Sequence, residues 1–398
     1  MNIVIAGRCL GTIHNLIHDG DRFIWSSDIP DESWLFGFED SLRDLELIAD
    51  ACGYDLDTFD ESPHGRSASV IFGDRGVMIP WMHMMPRNAF QKQLQNLLKQ
   101  LWRVIDEQLD QYYMNQFLFN REVLMRLQSP IVDIQMLKSI ADKSGLKRGE
   151  ILKFMPTDGM LAPRTVYDQS GSITGRLTVK EGPNILTLKR ENRKIFKSSF
   201  KGGKIIQIDI SSLEPRIALS VAGKSHAGDI YNLVGEEVLG GGLTRDQVKI
   251  AVLSCMYGAS SWSLSKQIPD GLDSKKILDE IKKYFEISGL KSRLESELLK
   301  TGYIRNLYGR SIKSRDSVVN HFLQSSGVDV SFNVFSQILS DLKSHDVRFI
   351  PIYVIHDAIV LDISHDALGK IKELTKDGYK VDKLDCIFPV KVEIIREK

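Results

Sequence analysis

Two stretches decide how this chain reads: Ile205-Ile-Gln-Ile-Asp209-Ile-Ser-Ser-Leu-Glu214-Pro-Arg216 and Ile352-Tyr-Val-Ile-His356-Asp357-Ala-Ile-Val-Leu361. In each, a β-branched apolar run reads as a buried strand, and an aspartate stands where the strand gives out. A carboxylate in such a place is costly unless something pairs with it. Taken singly, a strand-end aspartate often just caps a turn. The two acids lie 148 residues apart, so only the fold can bring them together. Once together, they suit a pair of divalent cations. Two metals about 4 Å apart stabilise both the attacking and the leaving oxygen of an in-line phosphoryl transfer.

Between the acids lies Arg245-x3-Lys249-x7-Tyr257-Gly258. Thr244-Arg-Asp-Gln247 is a capping box that starts a helix, and Gly258 is a fitting stop. Gly240–Gly242 precede it as a mobile lead-in. Positions 245, 249, 253 and 257 drift through only about 120° of arc and share one face. That face reads Arg245, Lys249, Leu253, Tyr257. Two cations near a helix N-terminus suit a triphosphate, and a ring at the far end suits a base. Alone, such a helix is more simply a surface helix with its charges in water. The co-occurrence of three elements, in order, is what points to nucleotidyl transfer.

The rest of the chain allows this reading without demanding it. Its 398 residues are 42 % hydrophobic and 26 % charged, which excludes a disordered chain and leaves room for several compact units. Net charge is zero, but it is unevenly spread: Arg176–Lys204 holds nine Lys/Arg against two Glu, and Lys291–Arg315 seven against two. Such stretches neutralise phosphates or are plain solvated basic faces. Cys9, Cys52, Cys255 and Cys386 are scattered, which argues against a zinc site and for a reducing compartment. No apolar run reaches the roughly 18 residues of a membrane span. Met1-Asn-Ile-Val-Ile-Ala reads as a first strand, not a signal peptide.

Periodicity divides the chain. Residues 1–85 read as a small α+β unit, with strands at Ile3–Ile5, Arg22–Trp25, Ala68–Phe72 and Val77–Trp81, a helix at Phe38–Ala51, and a hairpin turn at Gly73-Asp-Arg-Gly76. Residues 86–154 read as mostly helical, from Leu94, Leu97, Leu98, Leu101, Val104, Ile105 and Leu109, then Ile131–Lys143 and Lys147–Phe154. They suit a clamp over a duplex and a plain bundle equally. Residues 155–398 alternate strands and helices. Helices are expected at Thr244–Met256, Ser274–Phe285, Leu290–Lys300, Asn320–Ser344 and His365–Asp377, a hairpin at Ile350–Ile363 with His356-Asp357 at its tip, and a closing strand at Pro389–Ile395.

These residues resemble motifs A, B and C of the family A DNA polymerases, the bacterial DNA polymerase I type: Asp209-x4-Glu214-x-Arg216, Arg245-x3-Lys249-x7-Tyr257-Gly258 and His356-Asp357. Thr174-Gly-Arg176-Leu177 with Gly182-Pro-Asn184, Tyr303-Ile-Arg-Asn-Leu-Tyr-Gly-Arg310, and Asn320-x3-Gln324 are similar to further segments of that family, so the resemblance covers about residues 86–398. It implies a multidomain α+β, right-hand polymerase fold. The antiparallel palm sheet would come from 155–216 and 320–398, helical fingers and a return segment from 217–319, and a helical thumb from 86–154. It also implies roles. Asp209 and Asp357, with the Ile210 carbonyl, would hold two Mg2+ ions, Mn2+ being a substitute. Glu214 would crowd a 2′-hydroxyl and select deoxynucleotides. Arg245 and Lys249 would bind the triphosphate, Lys249 also protonating the leaving pyrophosphate. Leu253 would face the nucleotide sugar, and Tyr257 would stack near the templating base. Arg176, Asn320 and Gln324 would read the minor groove, and His356 would sit by the primer-terminal nucleotide. Implied partners are primer–template DNA and dNTPs, with no membrane, in a cytoplasmic setting.

The chain departs from the family pattern in several places. Ala358 stands where an acid usually follows His-Asp. Leu253 replaces an aromatic residue. Pro215 replaces an apolar non-proline residue, and the stretch from motif A to motif B is short. An exonuclease unit of this family needs a strand ending in Asp-x-Glu, and Met1–Gly7 carries no acid. Asp57-Thr-Phe-Asp60-Glu61 is only a loop-like acidic cluster. A compact, phage-type polymerase without proofreading is therefore expected, with residues 1–85 open to a replication partner. The alternatives are a single-subunit RNA polymerase-like enzyme and a polymerase-derived nucleic-acid-binding protein.

Overall fold

A computed structural model describes residues 1–38, 43–52, 54, 56, 67, 81–83, 85–106, 111–269 and 271–396. The chain forms two compact units, Met1–Phe117 and Leu118–Lys398. The division falls inside the helix Gln111–Met125 rather than at residue 85.

The first unit has a four-stranded sheet in the order Phe23–Ser26, Asn15–His18, Ile3–Ile5, Trp34–Phe36. The first three run antiparallel, and Trp34–Phe36 pairs parallel to Ile3–Ile5. Ile3, Val4, Ile5 and Phe36 are buried, and the Trp81 ring packs on Phe36 at 5.8 Å. The expected strand at Ile3–Ile5 is there, and that at Arg22–Trp25 lies at Phe23–Ser26. The expected helix narrows to Leu45–Cys52. Trp81 does not end a strand; it opens a single 3-10 turn to His83. Ala68–Phe72, residues 77–80, Gly73–Gly76, the Asp57–Glu61 cluster and Leu109 lie outside the described residues. The helix Arg87–Asp106 buries Leu94, Leu97, Leu98, Leu101, Val104 and Ile105, the apolar stripe expected of an amphipathic helix.

The second unit is built on one antiparallel sheet, in the order Phe349–Ile355, Ala358–Ile363, Lys204–Ile210, Val390–Arg396. Residues alternate between the faces of a strand. Ile206, Ile208 and Ile210 enter a core with the long helix Val318–Ser344 and the helix Leu213–Val221. On the other face, Ile205 joins a second core with Leu137, Phe154, Phe196 and Tyr353. Gln207 and Asp209 therefore share the Ile205 face. The helices Arg245–Met256, Ser274–Tyr284 and Ile287–Thr301 follow expectation within three residues, as does the closing strand. The expected His365–Asp377 helix is shorter, Ala367–Leu374. A hairpin of Tyr379–Val381 and Leu384–Phe388 follows it without having been foreseen.

One buried polar network ties the long helix down. The Asp329 carboxylate accepts from Asn120 Nδ2 at 2.7 Å and Asn306 Nδ2 at 2.6 Å. The Asn306 side-chain Oδ1 accepts in turn from the amides of Tyr308 and Arg310. Arg310 donates onward to the Gln169 carbonyl at 3.1 Å. A Cβ on Gly175 would lie 2.1 Å from the Arg310 guanidinium, and Gly175 has φ +73°. The glycine before Arg176 is thus required twice, by conformation and by space.

Candidate active site

The sheet register brings the two aspartates together. Asp209 lies directly opposite Ala358, and the Ile210 amide donates to the Asp357 carbonyl at 3.0 Å. Ile355 pairs with Ala358, so His356-Asp357 is a two-residue turn, and His356 takes the left-handed φ of 56° that such a turn needs. Burial, and then the neighbouring Asp357, push the Asp209 carboxyl up to about 6. Burial also raises Asp357. Two carboxylates in this state favour a cation between them, and hard oxygen donors fit Mg2+ or Mn2+. Among the described residues no group of three His, Cys, Asp or Glu could hold a metal. The oxygen donors that could hold one are this pair, with Ile210 beside it in the cleft wall.

Above the pair opens a cleft of about 440 Å³. Ser212, at φ 54°, turns the strand into the helix Leu213–Val221 and aims Glu214 into the cleft. Pro215 falls in the first turn of that helix, where its missing N–H would have had no partner, so it is harmless. The Tyr257 hydroxyl donates to Glu214 Oε2 at 2.6 Å, and Arg176 Nη2 lies 3.4 Å from Oε1. Burial raises the Glu214 carboxyl, and burial followed by Glu214 itself drives the Tyr257 hydroxyl well up.

The capping box of Thr244 and Gln247 is present, and the helix it starts turns its Arg245, Lys249 and Leu253 face, with Tyr257 at the cap, to the cleft. Arg245 Nε donates to Asp229 Oδ2 at 2.8 Å. Arg176, Gln324 and His356 line the same cleft. Asn320 does not; one turn earlier on the same helix, it accepts from Gln324 Nε2 at 2.6 Å. Burial, and then Arg176, lower the His356 pKa.

Sequence reasoning missed Asp229, Tyr231, Arg190, Lys391 and Glu393. Lys391 lies directly opposite Asp209, and Glu393 opposite Gln207. Glu393 pairs with both Arg190 and Lys391, the latter at 2.8 Å, and all three line the cleft. Gln207 donates to Asp209 at 3.3 Å and accepts from Arg193 at 2.8 Å. The period-two alternation of Lys391 and Glu393 in the closing strand was the available signal.

A sequence-family model, DNA polymerase family A, matches residues 89–397. DNA polymerase I of Lactococcus lactis subsp. lactis is 24 % identical over 273 residues, 59 % of this chain and 30 % of that relative. The DNA polymerase of Bacillus phage SP01 is 25 % identical over 256 residues, 53 % of this chain and 28 % of that protein. The matched region thus covers under a third of these relatives' length. The POL domain of Pol1 from M. smegmatis, solved in complex with DNA primer-template and dNTP, superposes with a TM-score of 0.62 at 17 % identity, covering 100 % of this chain and 95 % of that one. No helix among the described residues is long and apolar enough to cross a membrane. With an α+β polymerase fold and a family match running from the helix Arg87–Asp106 to the closing strand, the chain belongs to DNA polymerase family A.

Proposed function

We propose that the chain extends a primer 3′-hydroxyl on a DNA template from deoxynucleoside triphosphates, by two-metal nucleotidyl transfer and without proofreading. One observation carries this reading: the acid pair Asp209/Asp357 and the helix face Arg245/Lys249/Leu253/Tyr257 line a single cleft. The bound DNA and nucleotide of the M. smegmatis domain support the substrate classes.

Asp209, Asp357 and the Ile210 carbonyl would hold two Mg2+ ions, or Mn2+, which when bound supply charge neutralisation at the transferring phosphoryl group. The chain's own residues orient the reactants. Arg245 and Lys249 grip the triphosphate, and Lys249 holds the proton for the leaving pyrophosphate. Glu214 fills the space of a 2′-hydroxyl, Leu253 lies against the sugar and Tyr257 stacks by the template base. Arg176 and Gln324, the latter braced by Asn320, face the minor groove, and His356 the primer end. Positioning and electrostatics carry most of such a transfer. Residues 155–216 and 320–398 act as palm, 217–319 as fingers and 86–154 as thumb, with 1–85 as the surface for a replication partner.

Primer extension with Mg2+ tests the reading. Asp209→Asn and Asp357→Asn should each abolish extension while primer–template binding persists. Near-normal extension by either variant sinks the acid-pair assignment. Ribonucleotide synthesis from a promoter would reassign the chain to RNA polymerase chemistry, and duplex binding without any extension to a binding protein.

A further inference from the structure

We propose that Asp229 is a positioning residue for nucleotide binding: it holds Arg245 in reserve, and a triphosphate binds by taking Arg245 away from it. This rests on the reading of Arg245 as a triphosphate-binding cation.

The acceptor side of the pair is fixed. Asp229 Oδ2 accepts from Arg245 Nε at 2.8 Å, while Oδ1 accepts from the amides of Tyr231 at 2.9 Å and Asn232 at 3.2 Å, capping the helix Ile230–Leu233. The guanidinium also lies over the Tyr231 ring, 5.2 Å from its centre. Tyr231 is buried, and it lines the cleft together with Ser212 of the strand-to-helix turn. The loop before Asp229 is clamped by the buried Arg216, which donates to the carbonyls of His226 and Gly228, each at 2.6 Å.

The donor side is built to move. Arg245 opens its helix, and Gly240, Gly241 and Gly242 precede it, all at left-handed φ and with no atom within 4 Å of where a Cβ would be. One turn on, Lys249 makes no ion pair within 4 Å among the described residues, and its charge acts on Asp209 and Asp357 instead. Of the two cations on the cleft face, Arg245 is the one held by carboxylates, by Asp229 at 2.8 Å and loosely by the exposed Asp246 at 3.9 Å. A triphosphate reaching Arg245 meets the Asp229 carboxylate on the same guanidinium, and like charges repel. Burial works against the Asp229 charge, but the Arg245 bond and the two amides still hold its carboxyl below the ordinary value. It stays ionised at neutral pH, so the restraint is constant there. Both side chains are partly exposed, 46 % for Arg245 and 33 % for Asp229. An ion pair of that kind corresponds to roughly a two- to five-fold factor in binding.

Asparagine caps a helix as well as aspartate does. Asp229→Asn therefore keeps the cap and the shape, while the oxygen that accepts from Arg245 becomes an amide nitrogen that cannot, so the charge and the bond to Arg245 are lost together. Steady-state extension gives KM and kcat for dNTP at saturating primer–template, and inorganic pyrophosphate, the product of the transfer, serves as a second probe through its product-inhibition constant in initial-rate measurements. The expected result is a fall of about two- to five-fold in both KM and the pyrophosphate constant, with kcat changed less. Arg245→Gln alone should raise KM, and Asp229→Asn should have no effect in that background. If Arg245→Gln raises KM but Asp229→Asn leaves it unchanged or raises it, the restraint is overturned and the Arg245 reading stands. If Arg245→Gln leaves KM unchanged, both fall together.

Discussion

Glu214 is held from two sides, by the Tyr257 hydroxyl and by Arg176, so its carboxylate has a fixed place in the cleft. Glu214→Ala should raise ribonucleotide use, with the rNTP/dNTP ratio of kcat/KM rising roughly ten-fold or more. An unchanged ratio means Glu214 is not the sugar gate. Asp209 gives a second case, with a definite sign. Its folded-state pKa of about 6 stands above the roughly 3.9 of an unfolded aspartate. Below about pH 4 both states keep the proton; between about 4 and 6 the unfolded state loses it first, so stability falls over that window and stays lower above it. In EDTA, Asp209→Asn should therefore melt above the wild type at neutral pH, with the gap closing towards pH 4, and Mg2+ should stabilise only the wild type. A gap that does not narrow on acidification contradicts this. The two aspartates were legible because each ends an unmistakable strand. Asp229 was not: before Ile230 and Tyr231 it looks like a helix cap, and it is one. Only the fold shows the same carboxylate reaching Arg245.

The Arg245–Met256 helix was legible to the residue, because a capping box fixes its start and a four-residue step fixes its face. Gln111–Met125 was not read as a separate helix. Its buried set mixes Tyr113, Met114 and Phe117 with Gln116 and Asn120, which blurs the period that reveals an amphipathic helix. Asn15–His18 and Trp34–Phe36 were missed because neither carries the β-branched run that marks Ile3–Ile5. Within the Arg245–Met256 helix, Leu253 is half-buried at the cleft wall. Leu253→Phe offers a flat ring to the nucleotide sugar and should lower KM for dNTP; Leu253→Tyr should in addition favour dideoxynucleotides. Overpacking costs about 1–3 kcal/mol where the space is tight, so a thermal melt belongs beside the kinetics. If both variants fold normally and neither KM nor dideoxynucleotide use changes, Leu253 does not face the nucleotide.

At the scale of the molecule, the amino-terminal unit opens with the strand Ile3–Ile5, which carries no acid. A labelled mismatched primer, incubated with Mg2+ and no nucleotide, should keep its length; stepwise shortening that persists in Asp209→Asn would reveal a nuclease elsewhere in the chain. The second unit makes its cleft from segments distant in sequence, and the register of one sheet places its acid pair: Lys391, Asp209 and Ala358 stand in a single row across three strands. That row sets how the gene can change length. Losing one codon between Lys204 and Ile208 would turn Asp209 from the cleft face to the opposite core, although composition would scarcely alter. Single-codon insertions and deletions should therefore be eliminated from these strands far more strictly than substitutions, and should accumulate at exposed turns such as that of Gly271, where added atoms meet nothing within 4 Å.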